Sequence, residues 1–73
     1  MAKYIIKSNV PDDTERRKEH TNAKEARRHF LSVVNMLSIA YNTKVTFRTK
    51  PLRGTIQVEI DGFYYYVELY KEA

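Results

Sequence analysis

Residues 55–70, TIQVEIDGFYYYVELY, contain two runs of β-prone residues on either side of Asp61-Gly62. Asp-Gly is the strongest short signal for a two-residue hairpin turn of type I′, in which both central residues need positive φ. Such a turn fixes three facing pairs: Ile60 with Phe63, Val58 with Tyr65, and Ile56 with Val67. The stretch therefore predicts an antiparallel β-hairpin with a defined register.

The two faces of this hairpin differ in character, because side chains alternate along a strand. The apolar face carries Ile56, Val58, Ile60, Phe63, Tyr65, Val67 and Leu69. The polar face carries Thr55, Gln57, Glu59, Tyr64, Tyr66, Glu68 and Tyr70. This alternation is typical of a half-buried antiparallel sheet. We expect the rest of the chain to cover the apolar face and to leave the tyrosines outside.

Three further segments show periodic patterns. Residues 3–8 alternate like a first strand, and residues 44–49 alternate like a second. Residues 23–41 have apolar residues at helical spacing, and Asn22 with Glu25 three residues later is typical of a capped helix start. The predicted helical stripe consists of Ala23, Ala26, Phe30, Val33, Val34, Leu37, Ala40 and Tyr41.

The predicted order is β-α-β-β-β, an α+β fold in which an antiparallel meander carries one long helix on one sheet face. At 73 residues, the chain has room for a single domain spanning residues 1–73. A right-handed β-α-β connection would make the first strand parallel to an edge strand of the meander. Either edge is compatible with the sequence.

Two segments are predicted to connect these elements. Residues 12–20, DDTERRKEH, have no apolar face and are predicted to form a solvated loop, with room for one helical turn at Pro11. A short basic recognition segment is the alternative. Residues 50–54 are predicted to link the second strand to the hairpin.

Composition excludes several function classes. The chain has no cysteine, which rules out disulfides, thiol catalysis and cysteine-based zinc sites and favours a cytoplasmic location. No signal peptide or membrane span is expected. The net charge of +4 is a modest basic excess, and residues 44–53 contain four basic residues and no acid. These four are Lys44, Arg48, Lys50 and Arg53.

Catalytic and metal-binding patterns are not recognisable. His20 and His29 lie nine residues apart without carboxylates at metal-ligand spacing, and the two glycines cannot form a phosphate-binding loop. No serine has a histidine placed as a base by any motif. We therefore expect a protein that is not an enzyme and that needs neither cofactor nor metal.

Surface recognition is the remaining class. Tyr64, Tyr66 and Tyr70 would form an aromatic anchor, because tyrosine offers a large contact area at low entropic cost. Arg48, Lys50 and Arg53 would contact an acidic partner around it. The alternative is that these tyrosines have no binding role and occur here because tyrosine is favoured on partly exposed strand surfaces. An exposed edge of the first or the last strand could add strand pairing.

A second candidate surface lies on the helix, where apolar residues miss the predicted stripe. It consists of Arg28, Leu31, Asn35 and Ile39. Scattered surface apolar residues are common, but the same group would also suit a partner or a second copy in a homodimer.

In size, lack of catalytic chemistry and single-layer build, the chain resembles small phage or mobile-element proteins that disarm host enzymes, anti-CRISPR proteins among them. This is a general resemblance, and no motif carries a functional residue over. It implies an inhibitor or adaptor that docks on an acidic surface of a host enzyme or nucleoprotein.

Nucleic-acid binding is the alternative function. Tyrosines beside Lys44, Arg48 and Lys50 could stack bases and neutralise phosphates, and the basic start of the helix could contact a duplex backbone. Glu59 and Glu68 on the same sheet face would repel phosphate.

Overall fold

The computed structural model describes residues 2–11 and 16–72 of the chain. The elements follow in the order β1 (Lys3–Ser8), β2 (Arg17–His20), α1 (Ala23–Ala40), β3 (Asn42–Thr49), β4 (Leu52–Ile60) and β5 (Phe63–Glu72). The predicted α+β class is confirmed, because one helix packs on one face of an antiparallel sheet that contains the β3-β4-β5 meander.

The β4-β5 hairpin has the predicted turn and register. Asp61 and Gly62 have φ values of 52° and 83°, the positive values that a type I′ turn needs. Ile60 pairs with Phe63, and the pairing continues without a break to Gly54 and Leu69. The turn thus sets which side chains of β5 face the helix and which face away.

The position of β1 differs from the prediction. The sheet order is β2-β1-β5-β4-β3, and β1 runs antiparallel to both of its neighbours. The expected parallel pairing with a meander edge is wrong, because the chain reverses direction into an extra strand before the helix begins. As a result β2 and β3 point the same way at opposite edges, and α1 connects them across one face.

Strand β2 replaces the last four residues of the predicted 12–20 loop. Arg17–His20 pairs with β1 from Lys7 to Tyr4, and the Ser8 amide donates to the Arg16 carbonyl at 2.9 Å. Its sequence shows no apolar face because three of its four residues are exposed. Pairing with β1, rather than burial, specifies this strand. Residues 12–15 of the predicted loop lie outside the described residues.

The core lies between α1 and the inner face of the sheet, which we define as the face toward α1. Asn22 caps the helix as predicted, its side-chain oxygen accepting from the amides of Lys24 at 2.8 Å and Glu25 at 3.3 Å. The buried helix residues are Ala26, Phe30 and Leu37. They pack with Ile6, Val10, Ile56, Val58, Val67 and Leu69.

Gly54 provides the space that Phe30 needs in this core. A Cβ on Gly54 would lie 2.5 Å from the Phe30 ring, closer than real Cβ contacts allow. The Phe30 ring stacks on Phe47 of β3, with centroids 5.7 Å apart and planes at 17°.

The predicted 50–54 connection is too long. Strand β4 begins at Leu52, and only residues 50 and 51 link it to β3.

Candidate functional site

The face of the sheet opposite α1 is the candidate site, and we call it the outer face. Helix α1 contacts the inner face, and no other described element packs on the outer one. The register assigns to it Lys3, Ile5 and Lys7 of β1, Arg17 and Glu19 of β2, Asn42, Lys44, Thr46 and Arg48 of β3, Arg53, Thr55, Gln57 and Glu59 of β4, and Tyr64, Tyr66, Glu68, Tyr70 and Glu72 of β5.

The three tyrosines lie on this face but are not equivalent. Tyr64 is 55% exposed opposite Glu59, and Tyr66 is 42% exposed opposite Gln57. Tyr70 is half-buried and pairs with Ile5, which is fully buried although it lies on the outer face. Tyr64 and Tyr66 therefore offer aromatic surface to solvent, whereas Tyr70 helps to cover Ile5.

Arg48 and Arg53 are brought together by the β3-β4 pairing. They occupy directly opposite positions, and both are exposed. Within residues 2–11 and 16–72, neither has a carboxylate oxygen within 4.0 Å. The sequence prediction placed Arg53 in a loop, and the early start of β4 moves it onto the outer face. Lys50 is exposed in the short turn next to them.

The opposite side of the outer face contains a different arrangement of charge. The Arg17 guanidinium donates to Glu19 at 3.1 Å and to Glu72 at 3.5 Å, reaching across β1. The hydrogen bond to Glu19, helped by the charges of both carboxylates, raises the pKa of Arg17 above its ordinary value. In the register, Ile5 lies opposite Glu19 on one side and Tyr70 on the other.

The secondary candidate residues lie on an exposed side of α1. Arg28, Leu31, Asn35 and Ile39 are all exposed, Leu31 to 44% and Ile39 to 81%. Met36, which is not part of the predicted stripe, is exposed as well. The structure brings these residues onto the helix layer, separate from the tyrosines of the outer face.

The edges of the sheet are not those that the sequence suggested. Both β1 and β5 have neighbours on each side, so strand pairing by a partner at the first or the last strand is wrong. The edges are β2 and β3, and β3 is the longer, with eight residues. β3 also carries Lys44 and Arg48 on its outer face.

His20 and His29 form a contact that the sequence did not reveal. The His20 Nε2 and the His29 Nδ1 lie 3.0 Å apart, and the rings meet edge to face at 73°. The pair links β2 to α1. A sequence pattern that predicts a loop over residues 12–20 does not predict this contact. Among the described residues, no group of three His, Asp or Glu side chains is arranged to hold a metal ion.

One aromatic residue of the hairpin was also misjudged. Phe63 was predicted to belong to the covered apolar face, and its register agrees, but its side chain is 67% exposed. It lies next to the turn, at the end of the strand, and the buried cluster does not include it. Together Phe63 and Tyr64 make the tip of the hairpin aromatic on both faces.

Comparison with protein-family models, with curated proteins and with solved structures finds no match to this chain. In the part of the chain that the structure describes, no helix has both the length and the apolar character needed to cross a membrane.

Proposed function

We propose that this protein is a small non-enzymatic binding protein, an inhibitor or adaptor that docks its outer face on an acidic surface of a protein partner. The observation that carries the proposal is the exposure of Tyr64 and Tyr66 on the outer face, which they share with Arg48 and Arg53. In the part of the chain that the structure describes, neither arginine forms an ion pair.

Tyrosine and arginine are the residue types that dominate binding energy at protein interfaces. A phenol ring buries a large apolar area and has only two side-chain torsions to restrict, so its burial by a partner is favourable at a low cost in conformational entropy. Exposed guanidinium groups without internal carboxylates are available to form charge-assisted bonds with a partner's acids. The tyrosines would supply most of the affinity and the basic residues would supply orientation and association rate.

The partner class follows from the same chemistry. A basic, tyrosine-bearing face is complementary to an acidic surface, and a small blocking protein needs only one such surface. We therefore propose a host enzyme or nucleoprotein in the cytoplasm as the target, in the manner of phage or mobile-element anti-defence proteins.

The experiment has two stages. The immobilised domain first captures partners from a host lysate, and mass spectrometry identifies them. The affinity of the best candidate is then measured for the wild type, for Tyr64→Ser/Tyr66→Ser, and for Leu31→Ser/Ile39→Ser as a matched control on the helix. We expect the tyrosine variant to bind about 100-fold more weakly, as for loss of two hot-spot residues.

The control should bind like the wild type and should fold with the same circular-dichroism spectrum. Loss of affinity in the Leu31→Ser/Ile39→Ser variant alone would move the interface to the helix and overturn the proposal.

Nucleic-acid binding is a second candidate function, favoured by Lys44, which lies across Gln57 from Tyr66, and by Arg48 and Arg53 farther along the same strands. Among the described residues, none of these three cations has a carboxylate oxygen within 4.0 Å. Titration with single- and double-stranded oligonucleotides at about 50 mM and about 200 mM salt tests it, because phosphate contacts weaken steeply with salt. Glu59 and Glu68 lie among these basic residues and oppose a polyanion. Absence of binding at the lower salt concentration removes this candidate.

A further inference from the structure

The Arg48-Arg53 pair is an arrangement that the fold alone does not favour. Directly opposite residues on antiparallel strands have Cβ atoms about 4.5–5.5 Å apart, and like charges at such positions destabilise the sheet. Both arginines are exposed, and no described acid within 4.0 Å neutralises either one. The two guanidinium groups can therefore converge on a group that is outside the chain.

The surroundings of the pair are rich in hydrogen-bond donors. Arg48 and Arg53 line one shallow depression together with Thr46, Gly54 and Thr55. The side chains there are guanidinium and hydroxyl groups, and no carboxylate lines it. An oxyanion with two oxygen atoms matches the fork geometry of a guanidinium, and two arginines can hold it from both sides.

We propose that Arg48 and Arg53 form a clamp for one carboxylate side chain of the partner protein. This assignment rests on the proposed function, since it names the chemical group that the outer face recognises. The threonine hydroxyls beside the pair can donate to the same carboxylate, which orients the partner on the sheet.

The distribution of acids on the outer face favours a single anion over a nucleic-acid backbone. Along the strands, residues on one face are about 6.8 Å apart. One step from the pair lies Glu68, opposite Thr55, and two steps further along β4 lies Glu59. Across the strands, the same row ends at Glu19 beyond Ile5. A phosphate chain leaving the clamp along β4, along β5 or toward β2 would therefore meet a carboxylate, and only a path along β3, past Thr46 and Lys44, would avoid one. A single carboxylate side chain occupies the clamp alone.

Nitrogen-proton NMR of the arginine side chains tests the clamp directly. The probes are a short glutamate peptide with blocked ends, inorganic phosphate and a single-stranded oligo-dT. The variants are Arg48→Gln and Arg53→Gln. Arg27→Gln is the matched control, since Arg27 is exposed on α1 and has no ion pair among the described residues.

We expect the glutamate peptide to shift the Nε-H signals of Arg48 and Arg53 together and saturably. The Arg27 signal should not move. Either clamp substitution should weaken peptide binding at least about tenfold, the loss typical of one charge-assisted hydrogen bond, and Arg27→Gln should not change it.

Three results would overturn the clamp. No shift at either arginine would show that they do not act as a site. Shifts with phosphate but not with the peptide would assign the pair to a phosphate group. Tighter binding of oligo-dT, with Lys44 joining the response, would assign it to nucleic acid. Because Tyr64 and Tyr66 are unchanged in these variants, a negative result leaves the partner-affinity test of the outer face independent.

Discussion

The two sides of the outer face use basic residues in opposite ways. On the β2-β1 side, Arg17 is held between Glu19 and Glu72, and the side chains around it leave Ile5 fully buried. On the β4-β3 side, in which we include the hairpin end of β5, Arg48 and Arg53 face each other with no carboxylate oxygen of the described residues within 4.0 Å. Tyr66 and Tyr64 are exposed on the same face, two and three same-face positions farther toward the hairpin turn. Arg17 is paired with acids of the chain, although Lys7 lies directly opposite it, whereas the described residues provide no acid within 4.0 Å of Arg48 or Arg53.

This difference distinguishes a basic residue that stabilises the fold from basic residues that are available to bind a partner. A cation that already bridges two carboxylates of its own chain would have to break those ion pairs before it could bind an acid of a partner. Two cations at directly opposite positions repel each other and weaken the sheet slightly. An anion that binds both of them relieves this repulsion. We infer that the β4-β3 side is the binding side and that the β2-β1 side stabilises the sheet.

The scaffold beneath the binding side should be the most sensitive to substitution. Gly54→Ala should lower the free energy of unfolding by about 2 kcal/mol, within the range for overpacking a core, because the new methyl group meets the buried Phe30 ring. Urea denaturation measures this loss. Thr46→Ala, on the exposed face of β3, should change stability by no more than about 0.5 kcal/mol.

An alanine at position 54 that matched or exceeded the wild-type stability would contradict the packing of Phe30 on β4. Strand propensity alone favours alanine over glycine and would raise the stability, whereas the contact with the Phe30 ring would lower it. The sign of the measured change therefore shows which of the two effects is larger.

The hairpin turn should have the next largest effect. Gly62→Ala should cost about 1–2 kcal/mol, because Gly62 has a φ of 83° and side chains with a Cβ are strained there. No atom of residues 2–11 or 16–72 lies within 4 Å of a Cβ at this position, so the cost is conformational and not steric. Gly62→Asn should recover part of it, since asparagine tolerates positive φ. Equal stability of the alanine and glycine forms in urea denaturation would refute the type I′ turn.

The charge contrast itself predicts effects of opposite sign. Arg48→Gln should raise the free energy of unfolding by about 0.2–1 kcal/mol, because it removes a like-charge pair. Arg17→Gln should lower the melting temperature, because it removes the bridge to Glu19 and Glu72. Both changes should shrink as salt is added, since exposed charges are screened. Thermal unfolding at low and high salt measures them, and shifts of the same sign would contradict the contrast.

The sequence predicted the parts of the fold that local chemistry specifies. The Asp61-Gly62 turn, the alternation of the hairpin and the Asn22 cap all depend on residues close together in the chain, and each is confirmed. Strand β2 could not be predicted, because four polar, mostly exposed residues have no periodic signal and pair with β1 through their backbone.

The site was predictable only in part, for the same reason. Alternation placed Tyr64 and Tyr66 outside, but the partner of Arg53 depended on where β4 begins. Once Leu52 and Arg53 join the strand, Arg48 and Arg53 become opposite residues. The burial of Ile5 on the outer face was not predictable, because strand pairing, and not the local sequence, places Glu19 and Tyr70 opposite it.

Photo-crosslinking tests the central claim, that the β4-β3 side of the outer face is the binding side, most directly. A benzoylphenylalanine replaces Tyr66 in one variant and Arg17 in another, and each is irradiated with the partner identified by capture. We predict a crosslink to an acidic segment of the partner from position 66 and none from position 17. Crosslinking from position 17 alone, or from neither position while the partner still binds, would contradict the claim.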